Sequence, residues 1–354
     1  MMGTNDVTLY AKWDDSCLVT NINTGATYGT IQAAIDAGAS GQTIQLCPRV
    51  YYENIVLENK GITITSSNPL DNTVKDNTII DGCGKDDSVI KFLNGDTSTL
   101  QGVTIRNGNS LLGGGIYIDH SSPTITENKI IDNTASYGAG IFMKSDPNDS
   151  TMSVIISSPT ISNNIIENNM AGSYRGGIEL HQSSPTIENN TINGNQAVND
   201  DGGGIFVGDG DDTTAPIIID NTITNNTADD YGGGIAVNLQ DNATIEYNII
   251  SYNDANIGAG IAVYDNCDNV KIINNIDIDN NIATNVGGGV ALTQYCTNVL
   301  ISGNASIFEN TAEDNGGGIY VYECDNITIG GENDIDANII SGNTTSAFGG
   351  GVYI

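Results

Sequence analysis

Basic side chains are scarce in this sequence. Its 354 residues include 11 Lys and Arg against 43 Asp and Glu, which gives a formal net charge of −32 at pH 7. A surface of this sign repels the phosphates of nucleic acids and the head groups of anionic membranes, so we expect neither as a partner. The charge does not predict disorder, because 38% of the residues are hydrophobic and they recur in a regular pattern.

Long apolar runs are also missing. No segment approaches the roughly 20 apolar residues that cross a bilayer, so we expect no membrane span in this fragment. No signal-peptide core follows Met1. An acidic composition rich in Asn and Thr is typical of secreted or cell-surface solenoids. It predicts an extracellular or cell-surface location. We expect that the protein requires no cofactor, and its acidic side chains could bind Ca²⁺.

The sequence is rich in one repeated motif, a run of two or three small residues followed by Ile or Val. Nine copies recur at intervals of 25 to 37 residues. Their last glycines are Gly115, Gly140, Gly177, Gly204, Gly234, Gly260, Gly289, Gly318 and Gly351. Between copies lie short runs of β-branched residues separated by turn formers, and none of them has the length of a helix. One such unit cannot bury its own aliphatic side chains, whereas stacked units can.

We therefore predict an all-β fold, a parallel β-helix (solenoid) with three strands per rung. The crossover rule for parallel strands makes it right-handed. The glycines are expected to provide tight turns and close stacking of rungs, not a phosphate-binding loop.

Asparagine recurs in two columns with a fixed distance from Ile. The columns are Asn128, Asn164, Asn190, Asn221, Asn248 and Asn275, and Asn133, Asn169, Asn195, Asn226, Asn253, Asn281, Asn310 and Asn343. We predict that their amides bond the equivalent Asn one rung away, and that these residues supply the left-handed backbone of sharp turns. Their role is structural and not catalytic.

One short helix is predicted near the N-terminal end. Thr30 is a plausible N-cap, Ile31, Ala34 and Ile35 share a face, and Gly38 is a stop signal. A strand ending in Pro48, a Tyr-x-Glu-Asn-Ile segment and an Ile-Thr-Ile segment follow. This order resembles the N-terminal cap and first rung of pectate-lyase-like β-helix proteins, which implies that the helix covers the open end of the core. We expect 14–112 to be the cap and first rungs and 113–354 the regular repeats of the same body. Insertions are expected near 144–153 and 330–336.

Two further resemblances concern the setting of the domain. Residues 5–13, Asn-Asp-Val-Thr-Leu-Tyr-Ala-Lys-Trp, resemble the closing strand of an internalin-type B (Listeria–Bacteroides) repeat, which reads x-Val-Thr-Leu-Tyr-Ala-x-Trp. Segment 1–13 is thus expected to be the tail of a preceding repeat module or an expression remnant. The motif Ile-x-x-Asn-x-Ala followed by Gly-Gly-(Gly/Ala)-Ile, over about 105–354, resembles the repeats of the polymorphic outer-membrane proteins of Chlamydia, with Ile in place of Phe. This resemblance implies a secreted, adhesin-like surface protein.

Charged and aromatic residues gather on outward positions of the strand that follows the glycines. The catalytic candidates are Asp119, Lys144, Glu179 and His181, and the binding candidates are Tyr117, Phe142, Arg175 and Phe206, with His120 beside them. Aromatic rings beside carboxylates can form a sugar groove, and paired carboxylates can hydrolyse glycosidic bonds. An ordinary solvated face is the favoured interpretation, because no paired-Asp or Arg-x-x-Lys pattern is present and so acidic a chain suits polyuronate poorly.

Two other groups of residues are candidates for binding or cross-linking. Asp209, Asp211 and Asp212 form an acidic turn that could take Ca²⁺, although solvated turn acids are the favoured interpretation. Cys267, Cys296 and Cys324 share one frame, 29 and 28 residues apart, and should stack on adjacent rungs where two neighbours could cross-link and the third stays free. A disulfide is expected among Cys17, Cys47 and Cys83, whose pairing the sequence leaves open.

The favoured function is a structural or adhesive module of a secreted or cell-surface protein. Its expected partner is a surface glycan, a host or neighbour-cell protein, or a second copy bound through an uncapped rung at Ile354. A polysaccharide lyase or glycoside hydrolase on the same scaffold is the alternative. A third possibility is ice or mineral binding by a threonine face, indicated by Thr124, Thr160, Thr186 and Thr244.

Overall fold

The computed structural model describes residues 17–145, 156–210, 213–331 and 337–354. The expected module remnant 1–13 and most of the two expected insertions, 144–153 and 330–336, lie outside these residues. In the described residues the chain winds into stacked rungs, and equivalent strands of successive rungs pair in parallel. The predicted all-β parallel β-helix is confirmed.

Each regular rung contributes one strand to each of four sheets, which we number in the order the chain passes through them. Sheet 1 contains the strands Ala26–Tyr28, Val19–Asn21, Thr43–Leu46, Thr63–Ser66, Thr99–Gln101, Thr124–Thr126, Thr160–Ser162, Thr186–Glu188, Ile217–Ile219, Thr244–Glu246, Lys271–Ile273, Leu300–Ser302 and Thr328–Ile329. Sheet 2 contains Arg49–Tyr51, Thr78–Asp81, Thr104–Arg106, Lys129–Ile131, Ile165–Glu167, Thr191–Asn193, Thr222–Thr224, Ile249–Ser251, Asp277–Asp279, Ile307–Phe308 and Ile340–Ser341.

Sheet 3 is narrow and was not included in the three-strand prediction. It contains Asn109–Leu112, Thr134–Tyr137, Met170–Ala171, Gln196–Ala197, Thr227–Ala228, Asp254–Ile257, Ile282–Val286, Thr311–Ala312 and Thr344–Thr345. Seven of these nine strands begin with the x-Ala that follows the second Asn column, and four of them consist of it alone. Such a segment is too short and too polar to stand out as a strand.

Sheet 4 follows the glycine motif. It contains Ile55–Glu58, Ile90–Leu93, Ile116–Asp119, Ile141–Lys144, Ile178–His181, Ile205–Gly208, Ile235–Asn238, Ile261–Tyr264, Val290–Leu292, Ile319–Val321 and Val352–Tyr353. Along these strands one side chain points into the rod and the next points out.

A single hydrophobic core runs through the stacked rungs. In sheet 2, for example, Ile105, Ile130, Ile166, Ile192 and Ile223 are fully buried one above the other. The same core cluster includes residues of the N-terminal cap and of the late rungs, so the described residues of 14–112 and 113–354 share it. Because each rung covers the aliphatic side chains of the last, burial grows with the number of rungs.

The two asparagine columns form hydrogen-bonded ladders at the corners on either side of sheet 2. Asn226 Nδ2 donates to Asn253 Oδ1 at 3.1 Å, and the same contact repeats along both columns. This part of the prediction is confirmed. The backbone part is wrong, because the left-handed residue is the one just before each ladder Asn, such as Asn225 at φ 56° or Tyr252 at φ 56°. The ladder Asn itself is turned inward and buried, as for Asn226 and Asn253.

Glycine is required where the rungs approach most closely. A Cβ on Gly204 would lie 2.6 Å from the carbonyl oxygen of Gly234 and 3.1 Å from Asn226 Nδ2. The equivalent glycines of neighbouring rungs meet the same two obstacles. The expected close stacking of rungs at this column is therefore confirmed.

The predicted helix is present as Ile31–Ala37, with Thr30 as its N-cap accepting from the backbone N–H of Ala33 at 3.2 Å. Its buried residues are Ile31, Ala34 and Ile35, and they belong to the core at the first rungs. A second helix, Asn72–Asn77, was missed. Its N-cap is Asp71, whose side chain accepts from two backbone N–H groups. Neither helix is long or apolar enough to cross a membrane, and no other helix in the described part of the chain is.

Candidate functional site

The outer face of sheet 4 brings the predicted patch together. In the strand Ile178–His181, Ile178 and Leu180 enter the core, while Glu179 and His181 lie on the outer side. Parallel pairing places Glu179 between Phe142 and Phe206. The predicted catalytic and binding residues therefore come from four consecutive rungs. This agrees with the alignment of rungs that the spacing of the glycine motif predicts.

His181 is hydrogen-bonded on both ring nitrogens. Its Nε2 lies 2.6 Å from Glu179 Oε1, and its Nδ1 lies 2.7 Å from Asp209 Oδ2. Burial disfavours the charged ring, but the hydrogen bonds and charges of Asp209 and Glu179 outweigh it and raise the pKa of His181 to about 9. The hydrogen bond with His181 in turn lowers the pKa of Asp209. At neutral pH the site thus holds an imidazolium between two carboxylates.

Glu179 is fully buried, and Arg175 supplies a second cation beside it. An Arg175 guanidinium nitrogen lies 3.9 Å from Glu179 Oε1 and 3.6 Å from Asp200 Oδ2. The guanidinium also lies 3.9 Å above the ring of Phe206, which is a cation–π distance. Phe206 is consequently covered and does not face solvent. Glu179 Oε2 and Arg175 Nε are buried without a hydrogen-bond partner, so one acceptor and one donor of this charge cluster are unsatisfied.

The earlier rungs carry a second, linked group around Asp119. Tyr117 donates its hydroxyl to Asp119 Oδ2 at 2.9 Å, and His120 Nδ1 lies 2.7 Å from Asp119 Oδ1. Lys144 Nζ is 3.9 Å from Asp119 Oδ2. Burial, with the charge of Asp119, raises the pKa of the Tyr117 hydroxyl, which stays protonated and donates. Tyr117, Asp119 and His120 hold one another in place through these hydrogen bonds. The Lys144 side chain remains partly exposed to solvent.

An open groove of about 740 Å³ runs along the site. Its lining includes Tyr137, Phe142, Lys144, His181, Asp209 and Leu239. The Tyr137 ring stacks on Tyr174 with centroids 4.1 Å apart, and meets Phe142 edge-on at 6.5 Å. The groove therefore offers aromatic surface, two cationic side chains and two carboxylates, Asp209 and Asp241, within one concave space.

Farther along sheet 4 two tyrosines cover the outer face. The rings of Tyr231 and Tyr264 stack with centroids 4.1 Å apart and pack in one cluster with Phe206, Ala236 and Ala262. The side chains of Ala236 and Ala262 are small, so the two tyrosine rings can lie over them on the outer face of sheet 4.

Two polar contacts hold the tyrosine pair. The Tyr264 hydroxyl bonds a carboxylate oxygen of Asp201, and Gln294 Nε2 donates to the Tyr231 hydroxyl at 3.2 Å. Burial raises the pKa of Asp201 to about 6. Each contact spans two rungs, since 63 residues separate its partners.

Sequence reasoning missed Tyr137 and Tyr231. It followed the strand after each glycine motif and not the turn before it. A signal was available, because Tyr137 and Tyr231 each stand directly before the first glycine of a copy. Aromatic residues in that turn lean over the outer face of sheet 4.

The metal and disulfide candidates are placed as follows. Asp209 is bonded to His181, whereas Asp211 and Asp212 lie outside the described residues, so the calcium site stays a prediction. In the described ranges no group of three or more His, Cys, Asp or Glu side chains is arranged to hold a metal. Cys17 and Cys47 form a disulfide with Cα atoms 5.6 Å apart. The thiols of Cys83, Cys267, Cys296 and Cys324 are free.

The family model described as a right handed beta helix region matches residues 18–154, 87–216 and 163–306. Among solved structures, the A-module of the Azotobacter vinelandii mannuronan C-5 epimerase AlgE6 aligns at a TM-score of 0.44 with 15% identity, over 95% of this chain and 94% of that one. At that TM-score the likeness carries no inference about activity. No match was found among the curated proteins. On the family match, which spans most of the chain, the protein belongs to the right-handed β-helix family.

Proposed function

We propose that this chain is a binding module of a secreted or cell-surface protein and that it recognises a glycan in the groove beside His181. The observation that carries the proposal is the groove itself, about 740 Å³ of open space lined by both aromatic and charged side chains. Ligand sites combine apolar walls with a few fixed polar groups in this way.

The groove suits a sugar chain in its chemistry. The Tyr137 ring, which lines the groove and stacks on Tyr174, offers flat apolar surface to the C–H face of a pyranose. Lys144 offers hydrogen-bond donors and Asp209 an acceptor to hydroxyl groups. The rigid scaffold holds these groups in place, so little ordering entropy is lost on binding.

Charge indicates which glycans fit. The lining contains Lys144 and a protonated His181 against Asp209 and Asp241, so the groove is close to neutral inside a chain of net charge −32. A long-range field of that sign repels polyuronates. The proposed ligand is therefore a neutral or sparsely charged glycan of a cell surface.

Three features support the extracellular setting. The Cys17–Cys47 disulfide is typical of oxidising compartments. The resemblances to internalin-type B and chlamydial outer-membrane repeats both point to surface proteins. A protein partner, or self-association through the rung at Ile354, remains a competing proposal that the experiment below separates.

Polysaccharide cleavage is the second candidate, and one arrangement favours it. Glu179, His181 and Asp209 lie in line, with a protonated imidazole that could donate a proton to a leaving oxygen. Two facts make binding the better supported function. Both imidazole nitrogens are already bonded to carboxylates, and Glu179 has no exposed surface with which to touch a substrate.

The test is an array of neutral and uronate-containing oligosaccharides, probed with the wild type and with Tyr137→Ala. We expect selective binding of neutral glycans and at least tenfold weaker binding by the variant. Tyr52→Ala, which removes an aromatic ring that is 63% exposed but does not line the groove, should bind like the wild type. A folded wild type that binds no glycan and instead self-associates would overturn the proposal. Product release from the bound glycan that disappears in His181→Gln, with binding retained, would favour the enzyme.

A further inference from the structure

Three cysteines form a column at the turn that joins sheet 4 to sheet 1. Cys267, Cys296 and Cys324 each occupy the same position in one of three consecutive rungs, and all three thiols are free. The residues that directly follow them pair in parallel register, which fixes the alignment of the column. None of the three lines the groove.

The three cysteines lie one rung apart, and their exposure is graded. The Cys296 thiol donates to the carbonyl oxygen of Thr293 at 3.1 Å and lies beside the thiols of Cys267 and Cys324 in the neighbouring rungs. Cys267 and Cys296 are fully buried, whereas Cys324 is half-buried. Only the last thiol of the column is therefore accessible from solvent.

We propose that Cys324 and Cys296 form a disulfide by exchange with a small-molecule disulfide, and that Cys267 stays reduced beneath them. Neighbouring rungs lie about 4.8 Å apart, within the Cα separations of about 4.4–6.8 Å that disulfides span. The turn is joined to its neighbours by isolated bridges and not by continuous strands, so its backbone can adjust to the bond.

The reaction takes two exchange steps. The Cys324 thiolate attacks the reagent disulfide, whose S–S bond breaks and releases one thiol, leaving a mixed disulfide on Cys324. Cys296 then loses its proton and attacks the Cys324 sulfur, which forms the protein disulfide and releases the second reagent thiol. The protein loses two protons and two electrons, and the reagent disulfide gains both to become two thiols.

Cys267 is a poor partner for the same reaction. Cys267 and Cys296 each donate to a backbone carbonyl oxygen at 3.1 Å, of Tyr264 and Thr293, so that bond does not distinguish them. Cys267 Sγ in addition accepts from the backbone N–H of Gln240 at 3.5 Å. It is also shielded from a reagent by the two cysteines stacked beyond it. Cys296 can form a disulfide with only one of its two neighbours. Because the reagent reaches Cys324 first, that neighbour is Cys324.

The exchange should be slow near neutral pH and faster in alkali. The neighbouring thiol of Cys296, together with burial, raises the pKa of the attacking Cys324 thiol. The neighbouring thiol of Cys267 raises the pKa of the Cys296 thiol to about 12, and burial adds to the effect. Few Cys296 thiolates are therefore available to resolve the mixed disulfide. Once formed, the bond ties two late rungs together where the rod is farthest from its helical cap.

The test uses the full chain with Cys83→Ser, because Cys83 is exposed and would also react. The protein is incubated with oxidised glutathione at pH 8.5, quenched in acid, alkylated after unfolding and mapped by mass spectrometry. We expect one peptide pair joining Cys296 to Cys324, with Cys267 alkylated. In Cys296→Ala the reaction should stop at a glutathione adduct on Cys324, and in Cys267→Ala the pair should form as before.

Three results would overturn the inference. They are a Cys267–Cys296 pair, three alkylated thiols after prolonged oxidation, and a glutathione adduct on Cys324 that persists although Cys296 is present. The map of the chain that carries only Cys83→Ser decides the matter even if Cys296→Ala or Cys267→Ala fails to fold.

Discussion

Replacing Asn226 by Ala tests what the ladders contribute to the rod. The Asn226 side chain is fully buried and takes part in four hydrogen bonds. Its Oδ1 accepts from the backbone N–H and from Nδ2 of Asn195 at 2.9 and 3.0 Å, and its Nδ2 donates to Ile192 O and Asn253 Oδ1 at 3.0 and 3.1 Å. Alanine removes all four.

The cost follows from what is left behind. The backbone N–H of Asn195 loses its acceptor inside the core, and an orphaned buried donor costs about 1–3 kcal/mol. The other lost hydrogen bonds contribute roughly 1 kcal/mol more in net terms. We expect a loss of about 3 kcal/mol in the free energy of local opening, which is on the order of 100-fold in an equilibrium constant.

Hydrogen exchange of the Asn195 amide, read by NMR, measures that loss at the affected proton. Its protection factor should fall on the order of 100-fold, and amides several rungs away should change little, because contacts in a solenoid are between neighbours. Asn256→Ala is the matched control, since Asn256 is partly exposed and donates only one weak bond, 3.3 Å to Asp230 Oδ1. If the two variants lower protection equally, the ladders do not hold the rungs together.

Three further predictions concern packing and pH. Gly204→Ala should lower the free energy of unfolding by more than about 2 kcal/mol, because its Cβ would lie 2.6 Å from a carbonyl oxygen. Gly29→Ala, with nothing within 4 Å, should change it by less than about 0.5 kcal/mol in urea unfolding. Protonated His181 should contribute its full stability below pH 6.5 and lose that contribution as the pH rises through about 9. In urea unfolding at a series of pH values, the free energy of unfolding of His181→Gln should fall less over this range than that of the wild type. The pKa of Asp201 is raised to about 6, so its ionisation above that pH opposes folding, and Asp201→Asn should gain stability relative to the wild type between pH 4 and pH 7.5. If the difference in the free energy of unfolding between either variant and the wild type did not change with pH, the pKa shift assigned to that residue would be contradicted.

Much of the fold could be predicted because the repeat exposes it. The distance from one glycine motif to the next aligns equivalent residues, so Glu179 could be placed beside Phe142 and Phe206 without coordinates. The helix at 31–37 was equally predictable, since Thr30 and Gly38 mark both ends. Repetition supplies the register that a single strand lacks.

The left-handed residues could not be assigned to the right position from the sequence. Asn is favoured both in left-handed turns and in buried ladders, and the two positions are adjacent. In the structure Asn225 takes the turn and Asn226 takes the ladder. Tyr252 and Glu127 occupy the turn position elsewhere, so residue type alone does not identify it.

The site was predicted in its members but not in its contacts. The register placed His181 near Glu179, yet the bond to Asp209 comes from the following turn, whose path no periodicity specifies. The tyrosine pair was invisible for a related reason. Tyr231 and Tyr264 approach the outer face from opposite ends of the strand, so only the turns bring them together.

The most direct test of the glycan-binding groove is the location of a bound oligosaccharide. Hydrogen–deuterium exchange should be measured with and without the neutral glycan that binds best in the array. We predict protection confined to the segments that carry Tyr137, Phe142, His181, Asp209 and Leu239, the residues that line the groove. Protection on another face of the rod, or in the last rung near Ile354 alone, would contradict the account.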